Sequence, residues 1–360
     1  MKKILFITTY LYPMHFGGVE VFNYNLIKSL INKNEIKYAS LCNIGCEKAE
    51  YIRIKNNKYI GPYFSLLFAI ITTIKNVDVY ILSFTRSKWY NWIIFPILKK
   101  IYKKKYIVVI HGGRMSKWYF ALPYKIFFKN ADKVIGVSEI ICKEYSKRAG
   151  IVVNFIPPLI PFKQSYISKK NLRVNYNVDI ESFIFLYVGS LKDLKRPKMI
   201  LNAIKNIGIE YIKKRKVLVF FAGNGPLYNE MNEFIKVNNL EHCVYLLGNV
   251  SRDKIDEYYS LTDAYIIASK YEGTPISLLE AMFNSLIIIG ANSPGINSII
   301  SHGENGLIFD DELTLEKMMK YAIDNHYHLD CIKNNAFSAY NDKYTYLQVV
   351  EEYQKIFSSL

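Results

Sequence analysis

The sequence predicts an α/β protein made of two Rossmann-like, doubly wound domains facing across a cleft. Three observations carry this. Short apolar runs alternate with helical patterns along all 360 residues, which is the signature of parallel sheets with crossover helices. A proline cluster, Ile156-Pro157-Pro158-Leu159-Ile160-Pro161, interrupts the alternation, and neither a helix nor a central strand tolerates such a cluster. After a polar, lysine-containing stretch to about Ser182, the alternation restarts at Phe183.

Strands of the first half are expected near Ile4–Thr8, Lys37–Leu41, Val77–Leu82, Ile107–Ile110, Lys133–Gly136 and Val152–Ile156. Between them lie helical patterns such as Val19–Ile31, Phe64–Lys75 and Ser87–Ile101. Continuous apolar strands like Ile107-Val108-Val109-Ile110 suit a sheet covered on both faces. In the second half, strands are expected at Phe183–Val188, Val217–Phe221, Val244–Leu247, Ala264–Ile267 and Leu286–Ile289. The expected domains are 1–165 and 166–343. The final segment, 344–357, reads as a helix with Tyr346, Leu347, Val350, Tyr353 and Phe357 on its apolar side, free to pack back onto the first domain. In doubly wound sheets, ligands bind outside the carboxyl ends of the strands, so two facing sheets would place the chemistry in the cleft.

Composition narrows the class. Half of the residues (51%) are hydrophobic and 22% are charged, the profile of a folded chain with real cores. The five cysteines, Cys42, Cys46, Cys142, Cys243 and Cys331, are scattered. Their spacing supports neither a zinc site nor a redox dithiol, and reduced thiols in the cytoplasm are the expectation. Met1 to Tyr10 reads as a buried strand and not as a secretory leader. The longest apolar run, Tyr63 to Ile74, falls short of the roughly 20 residues a spanning helix needs. The net charge of +16 is unevenly placed: residues 1–165 hold 26 Lys and Arg against 8 Asp and Glu, and the remainder 21 against 23. An anionic partner for the first half alone is the natural reading.

Several strand ends carry residues suited to chemistry. Phe16-Gly17-Gly18-Val19-Glu20 follows the first strand and opens a helix. Paired glycines there make either a tight turn or a close backbone approach to an anion at the helix N-terminus. His111-Gly112-Gly113-Arg114 ends a buried strand, a position where a histidine is either structural or a cleft residue. Gly189-Ser190-Leu191 leads to Lys192, Lys195 and Arg196 before a helix beginning near Pro197. Strand end, cations and helix N-terminus together suit a diphosphate. Phe221-Ala222-Gly223-Asn224-Gly225-Pro226 is a strand followed by a Gly-x-Gly turn.

The most specific segment is Ser269-Lys270-Tyr271-Glu272-Gly273-Thr274-Pro275-Ile276-Ser277-Leu278-Leu279-Glu280-Ala281-Met282. Thr274 is expected as N-cap and Pro275 as the first helical residue. Glu272 and Glu280 then flank one helix N-terminus. They are suited to receive hydroxyls of a hexose and a ribose while the amides receive phosphate.

In family order and over nearly its whole length, the chain resembles glycosyltransferase family 4, retaining enzymes of the GT-B fold. The elements are the paired glycines, the strand-ending histidine, the glycine-then-lysine loop, the Gly-x-Gly turn and the Glu-x₇-Glu block. His302-Gly303-Glu304-Asn305-Gly306-Leu307 also resembles the family's turn after its last main helix. The resemblance implies a hexosyltransferase-type enzyme using a nucleotide diphosphate sugar, with uracil and guanine both open as the base. By it, Lys195 binds the donor diphosphate, Glu280 the ribose and Glu272 the transferred sugar. His111 lies near the reacting carbon, and Gly17 and Gly18 contact the donor. Gly189, Ser190, Arg196, Gly273, Thr274, Pro275 and Ile276 complete the donor site. Ser190 stands where the family has arginine, with Arg196 as the candidate replacement cation. Pro294-Gly295 stands where paired glycines are usual. Charge developing on the departing diphosphate must be met by metal, cations or oriented amides. The sequence holds no Asp-x-Asp pair, so a metal-independent reaction without a cofactor is expected.

The basic half has its own pattern. Trp89, Trp92, Ile93, Phe95, Ile97, Leu98 and Ile101 share a segment with Lys99, Lys100, Lys103, Lys104 and Lys105. An aromatic, basic amphipathic helix suits an anionic membrane surface, whereas no recognised nucleic-acid module is present. The expectation is a cytoplasmic enzyme, peripheral at the inner face of the cell membrane. It would act on a glycan or lipid-linked acceptor in bacterial surface polysaccharide synthesis. A sugar-nucleotide epimerase of similar fold and a non-catalytic nucleotide-sugar-binding scaffold are the alternatives.

Overall fold

The computed structural model describes residues 2–8, 18–31, 35–40, 49–53, 69–84, 91–111, 122–163 and 165–360. Gly17, Trp89 and the segment Gly112-Gly113-Arg114 lie outside them, as do Cys42 and Cys46. The chain divides into two compact units, Met1–Pro161 with Tyr346–Leu360, and Phe162–Thr345. Ile156 and Leu159, just before Pro161, are buried in the first unit's core.

Unit 1 is a parallel sheet of β1 (Lys3–Ile7), β2 (Glu35–Ser40), β3 (Ala49–Arg53), β4 (Val79–Phe84), β5 (Lys105–Ile110), β6 (Lys133–Gly136) and β7 (Asn154–Phe155). Their order is β3-β2-β1-β4-β5-β6-β7. Alternate residues of a strand face opposite sides, and both sides are apolar here. Leu5, Ile7, Tyr106, Val108 and Ile110 face one core; Ile4, Phe6, Ile107 and Val109 face the other. The second core also takes Phe22, Leu26 and Ile27 of the helix Gly18–Leu30 and Val349, Tyr353 and Phe357 of the last helix, Tyr346–Ser359.

Unit 2 is a parallel sheet of β8 (Phe183–Val188), β9 (Val217–Ala222), β10 (Val244–Gly248), β11 (Ala264–Ile267), β12 (Ile287–Ala291) and β13 (Leu307–Phe309), ordered β10-β9-β8-β11-β12-β13. Sequence reasoning missed β3 and β13. Each is a short edge strand, and an edge strand need not be apolar along its length. In both sheets the order reverses beside the first strand of the unit: between β1 and β4, and between β8 and β11. Connections leave the sheet in opposite directions at such a switch point and open a crevice at the carboxyl ends.

Candidate functional site

In unit 2 the switch point is occupied by the loops after β8 and β11, and backbone contacts lock these loops to their neighbours. The Gly189 amide donates to the Ala222 carbonyl at 3.0 Å and the Leu191 amide to the Asn224 carbonyl at 3.0 Å. Gly223 permits this approach: its φ is +151°, and a Cβ there would sit 1.9 Å from the Gly189 oxygen. The Gly-x-Gly turn therefore buttresses the Gly189-Ser190-Leu191 loop. Gly295 does the same for the β11 loop, since at φ +90° a Cβ would lie 2.3 Å from the Glu272 oxygen and 2.7 Å from that of Gly273. The Glu272 amide in turn donates to the Pro294 carbonyl at 3.2 Å.

This frame brings Lys195 and Glu272 together. The Lys195 ammonium donates to Oε1 of Glu272, the two side chains being 29% and 13% exposed. Arg196 follows in a left-handed conformation, φ +49°, and caps the helix Pro197–Ile207. Its Nε donates 2.6 Å to the Ala268 carbonyl, which holds the guanidinium at the end of β11, and desolvation lowers its pKa. Ser190 offers its carbonyl to the Tyr187 hydroxyl at 3.1 Å.

The helix after β11 begins one residue later than the sequence suggests. Pro275 is its N-cap, with extended backbone at ψ 114°, and Ile276 is the first helical residue. Thr274 thus lies outside the cap, because proline fixes φ without requiring helical ψ. Glu280, on the second turn, is buried at 4% exposure. Its Oε1 accepts from Nη1 of Arg252, and its Oε2 accepts from the Tyr259 hydroxyl at 2.8 Å. Burial and the Glu280 charge hold the Tyr259 phenol well above its usual range, so it stays a donor. Arg252 and Tyr259 escape sequence reasoning, since they sit 28 and 21 positions from Glu280 and belong to no motif.

In unit 1, His111 follows β5, and its Nε2 lies 2.7 Å from Oγ of Ser83 on β4. Ser83 donates its one proton to Oδ1 of Asn23, and Nδ2 of Asn23 donates to Thr8 at 2.8 Å. Ser83 can therefore only accept from His111, which places the ring proton on Nε2 and leaves Nδ1 as the acceptor. Phe22 meets the ring edge-on at 4.5 Å. Desolvation pushes the imidazole pKa down to about 3, so the ring is neutral at physiological pH. Gly18 is the first residue of the helix that carries Phe22 and Asn23. Asn23 and Ser83 are polar residues in apolar surroundings, the only signal by which the sequence marked them.

Among the described residues, no group of three or more His, Cys, Asp or Glu is arranged to hold a metal. Among them, too, no helix is long and apolar enough to cross a membrane. The helix Asn91–Tyr102 buries Phe95 and Leu98 but exposes Ile93 (48%), Ile97 (45%) and Ile101 (65%), a stripe at four-residue spacing on one face. Lys100 and Lys103 are also exposed, whereas Lys99 is paired with Asp132 at 2.8 Å.

Residues 168–342 match the family model described as Glycosyl transferases group 1. The chain is 24% identical over 326 residues to the Uncharacterized glycosyltransferase MJ1178 of Methanocaldococcus jannaschii, which covers 86% of this chain and 84% of that one. It is 23% identical over 253 residues to the O-antigen biosynthesis glycosyltransferase WclY of Escherichia coli, 69% of this chain and 65% of that one. Among solved structures, Anabaena Alr3699/HepE in complex with UDP is similar over 100% of both chains, with a TM-score of 0.82 at 16% identity. That last likeness is one of fold.

Proposed function

We propose that this glycosyltransferase of the GT-B fold, whose residues 168–342 match the Glycosyl transferases group 1 model, carries out a retaining, metal-independent transfer of a hexose from a nucleotide diphosphate. The acceptor is a membrane-associated glycan or glycolipid, in bacterial surface polysaccharide synthesis. The observation that carries this reading is the Lys195–Glu272 pair at the β8/β11 switch point of unit 2. In the free enzyme each charge satisfies the other. A donor diphosphate takes the ammonium, and Glu272 is then free to accept a hydroxyl of the transferred sugar. Arg196 and the first amides of the helix Ile276–Phe283 meet the rest of the charge that develops on the leaving diphosphate. Gly189, Ser190, Gly273, Thr274 and Pro275 line the approach of the diphosphate and Glu280 holds the ribose; by the family resemblance Gly17 and Gly18 also contact the donor. The neutral His111 accepts from a hydroxyl of the sugar at Nδ1 without adding charge. WclY, named for O-antigen biosynthesis, supports a glycan acceptor, and the stripe Ile93, Ile97 and Ile101 supports contact with the inner face of the cell membrane.

The test is sugar transfer from UDP- and GDP-hexoses to undecaprenyl-linked and diacylglycerol acceptors, with and without a chelator. Transfer at an undiminished rate under chelation, with the anomeric configuration kept, is expected. Activity lost on chelation and restored by a divalent ion would end the metal-independent reading, and an inverted product would end the retaining one.

A further inference from the structure

The roles assigned above leave Arg252, a half-buried cation of unit 2, without one. Arg252 opens the helix Arg252–Leu261, and its Nη1 donates to Oε1 of Glu280 while Tyr259 of the same helix donates to Oε2. The carboxylate is thus clamped from one helix, and each of its oxygens keeps a further lone pair for an incoming hydroxyl. The second guanidinium nitrogen is in a different state. Nη2 is buried and makes no hydrogen bond to the described residues; the Asp256 carboxylate oxygen is 3.8 Å away, too long for one. A buried donor on a charged group without an acceptor is uncommon and costly in a folded protein. The guanidinium fork suits two parallel bonds, and only one is made here.

We infer that Arg252 belongs to the donor site: Nη1 fixes the Glu280 carboxylate to receive the ribose diol, and Nη2 donates to an oxygen of the bound nucleoside diphosphate. The inference rests on the assignment of Glu280 to the ribose. It differs from a purely structural role in what it demands of the ligand, because a structural arginine would not distinguish ribose from deoxyribose.

The experiment is calorimetric titration of the full chain with UDP and GDP, each beside its 2′-deoxy form, for wild type, Arg252→Met and Arg252→Lys. Wild type should bind its ribonucleotide about tenfold or more tightly than the deoxy form. Arg252→Met should lose about tenfold in ribonucleotide affinity and bring that ratio close to one. Arg252→Lys retains a single bond to Glu280 and no counterpart of Nη2, so it should keep most of the ratio but bind both nucleotides more weakly. Wild-type affinity and ratio in Arg252→Met would overturn the role of Arg252 and leave Glu280 standing. A wild-type ratio near one would overturn both assignments. Should Arg252→Met fail to fold by circular dichroism, Arg252→Lys decides alone: unchanged affinity there removes the claim for Nη2.

Discussion

Lys195 and Arg196 are neighbours in the chain with different anchors. Among the described residues the ammonium of Lys195 is tied only to a carboxylate, which a diphosphate can displace. Arg196 is tied to the Ala268 carbonyl, which keeps its position whether or not donor is bound. Lys195→Ala should therefore lower turnover more than Arg196→Ala, by roughly one to two orders of magnitude for loss of a charge-assisted bond to the leaving group. Steady-state rates of both single variants and the double variant are the measurement, and equal losses would mean that Arg196 carries as much of the charge as Lys195. His111 offers a second test at this scale. Its folded pKa of about 3 lies below the ordinary 6.5 because the ring is desolvated. Below pH 6.5 the unfolded chain takes up a proton that the folded chain refuses, so this contribution to stability is complete above 6.5 and falls as pH drops towards 3. Wild type should then lose stability more steeply than His111→Gln on acidification, as followed by denaturant unfolding. Parallel curves would mean that the ring is not desolvated.

At the level of the element, the helix Asn91–Tyr102 shows how one sequence pattern can serve two surfaces. Its apolar residues divide: Phe95 and Leu98 belong to the core, and Ile93, Ile97 and Ile101 do not. Its lysines divide as well. Lys99 is held by Asp132 and Lys105 belongs to β5, so the electrostatic part of the proposed membrane contact falls to Lys100, Lys103 and Lys104 and not to all five lysines of the segment. Each lysine at an anionic surface contributes about 1 kcal/mol. Replacing these three by glutamine should release the protein from anionic vesicles in co-sedimentation and leave nucleotide binding as it was. Raising salt should act in the same direction, because the Debye length falls from about 10 Å at 0.1 M to about 3 Å at 1 M. Equal binding to neutral and anionic vesicles would assign the contact to the isoleucines alone. Absence from both would remove the membrane from the proposal.

On the scale of the whole molecule, the chain ends where it began. Tyr353 is fully buried and Phe357 nearly so, in the core that β1 and the helix Gly18–Leu30 share, and the Tyr353 ring meets Phe22 at 6.0 Å. The last helix therefore stabilises unit 1 although unit 2 precedes it in the sequence. Tyr353→Ala should cost about 3–5 kcal/mol, the range for emptying a buried aromatic site, read as an earlier unfolding of unit 1 by hydrogen exchange. Unchanged exchange in β1 would show that the helix is not part of that core. Much of this architecture was legible beforehand. Apolar runs such as Phe183–Val188 and Ala264–Ile267 coincide with strands to the residue, because a strand covered on both faces leaves an unbroken apolar signature. The glycine loops and the Glu272 and Glu280 segment were visible for a related reason, since backbone turns and helix starts are local in sequence. What the sequence left open was pairing: Lys195 with Glu272, Glu280 with Arg252 and Tyr259, His111 with Ser83 and Ser83 with Asn23. Each pair joins residues from different strand-end loops or helices, with no shared periodicity to announce it. Only the order of strands in the two sheets brings them within hydrogen-bond reach.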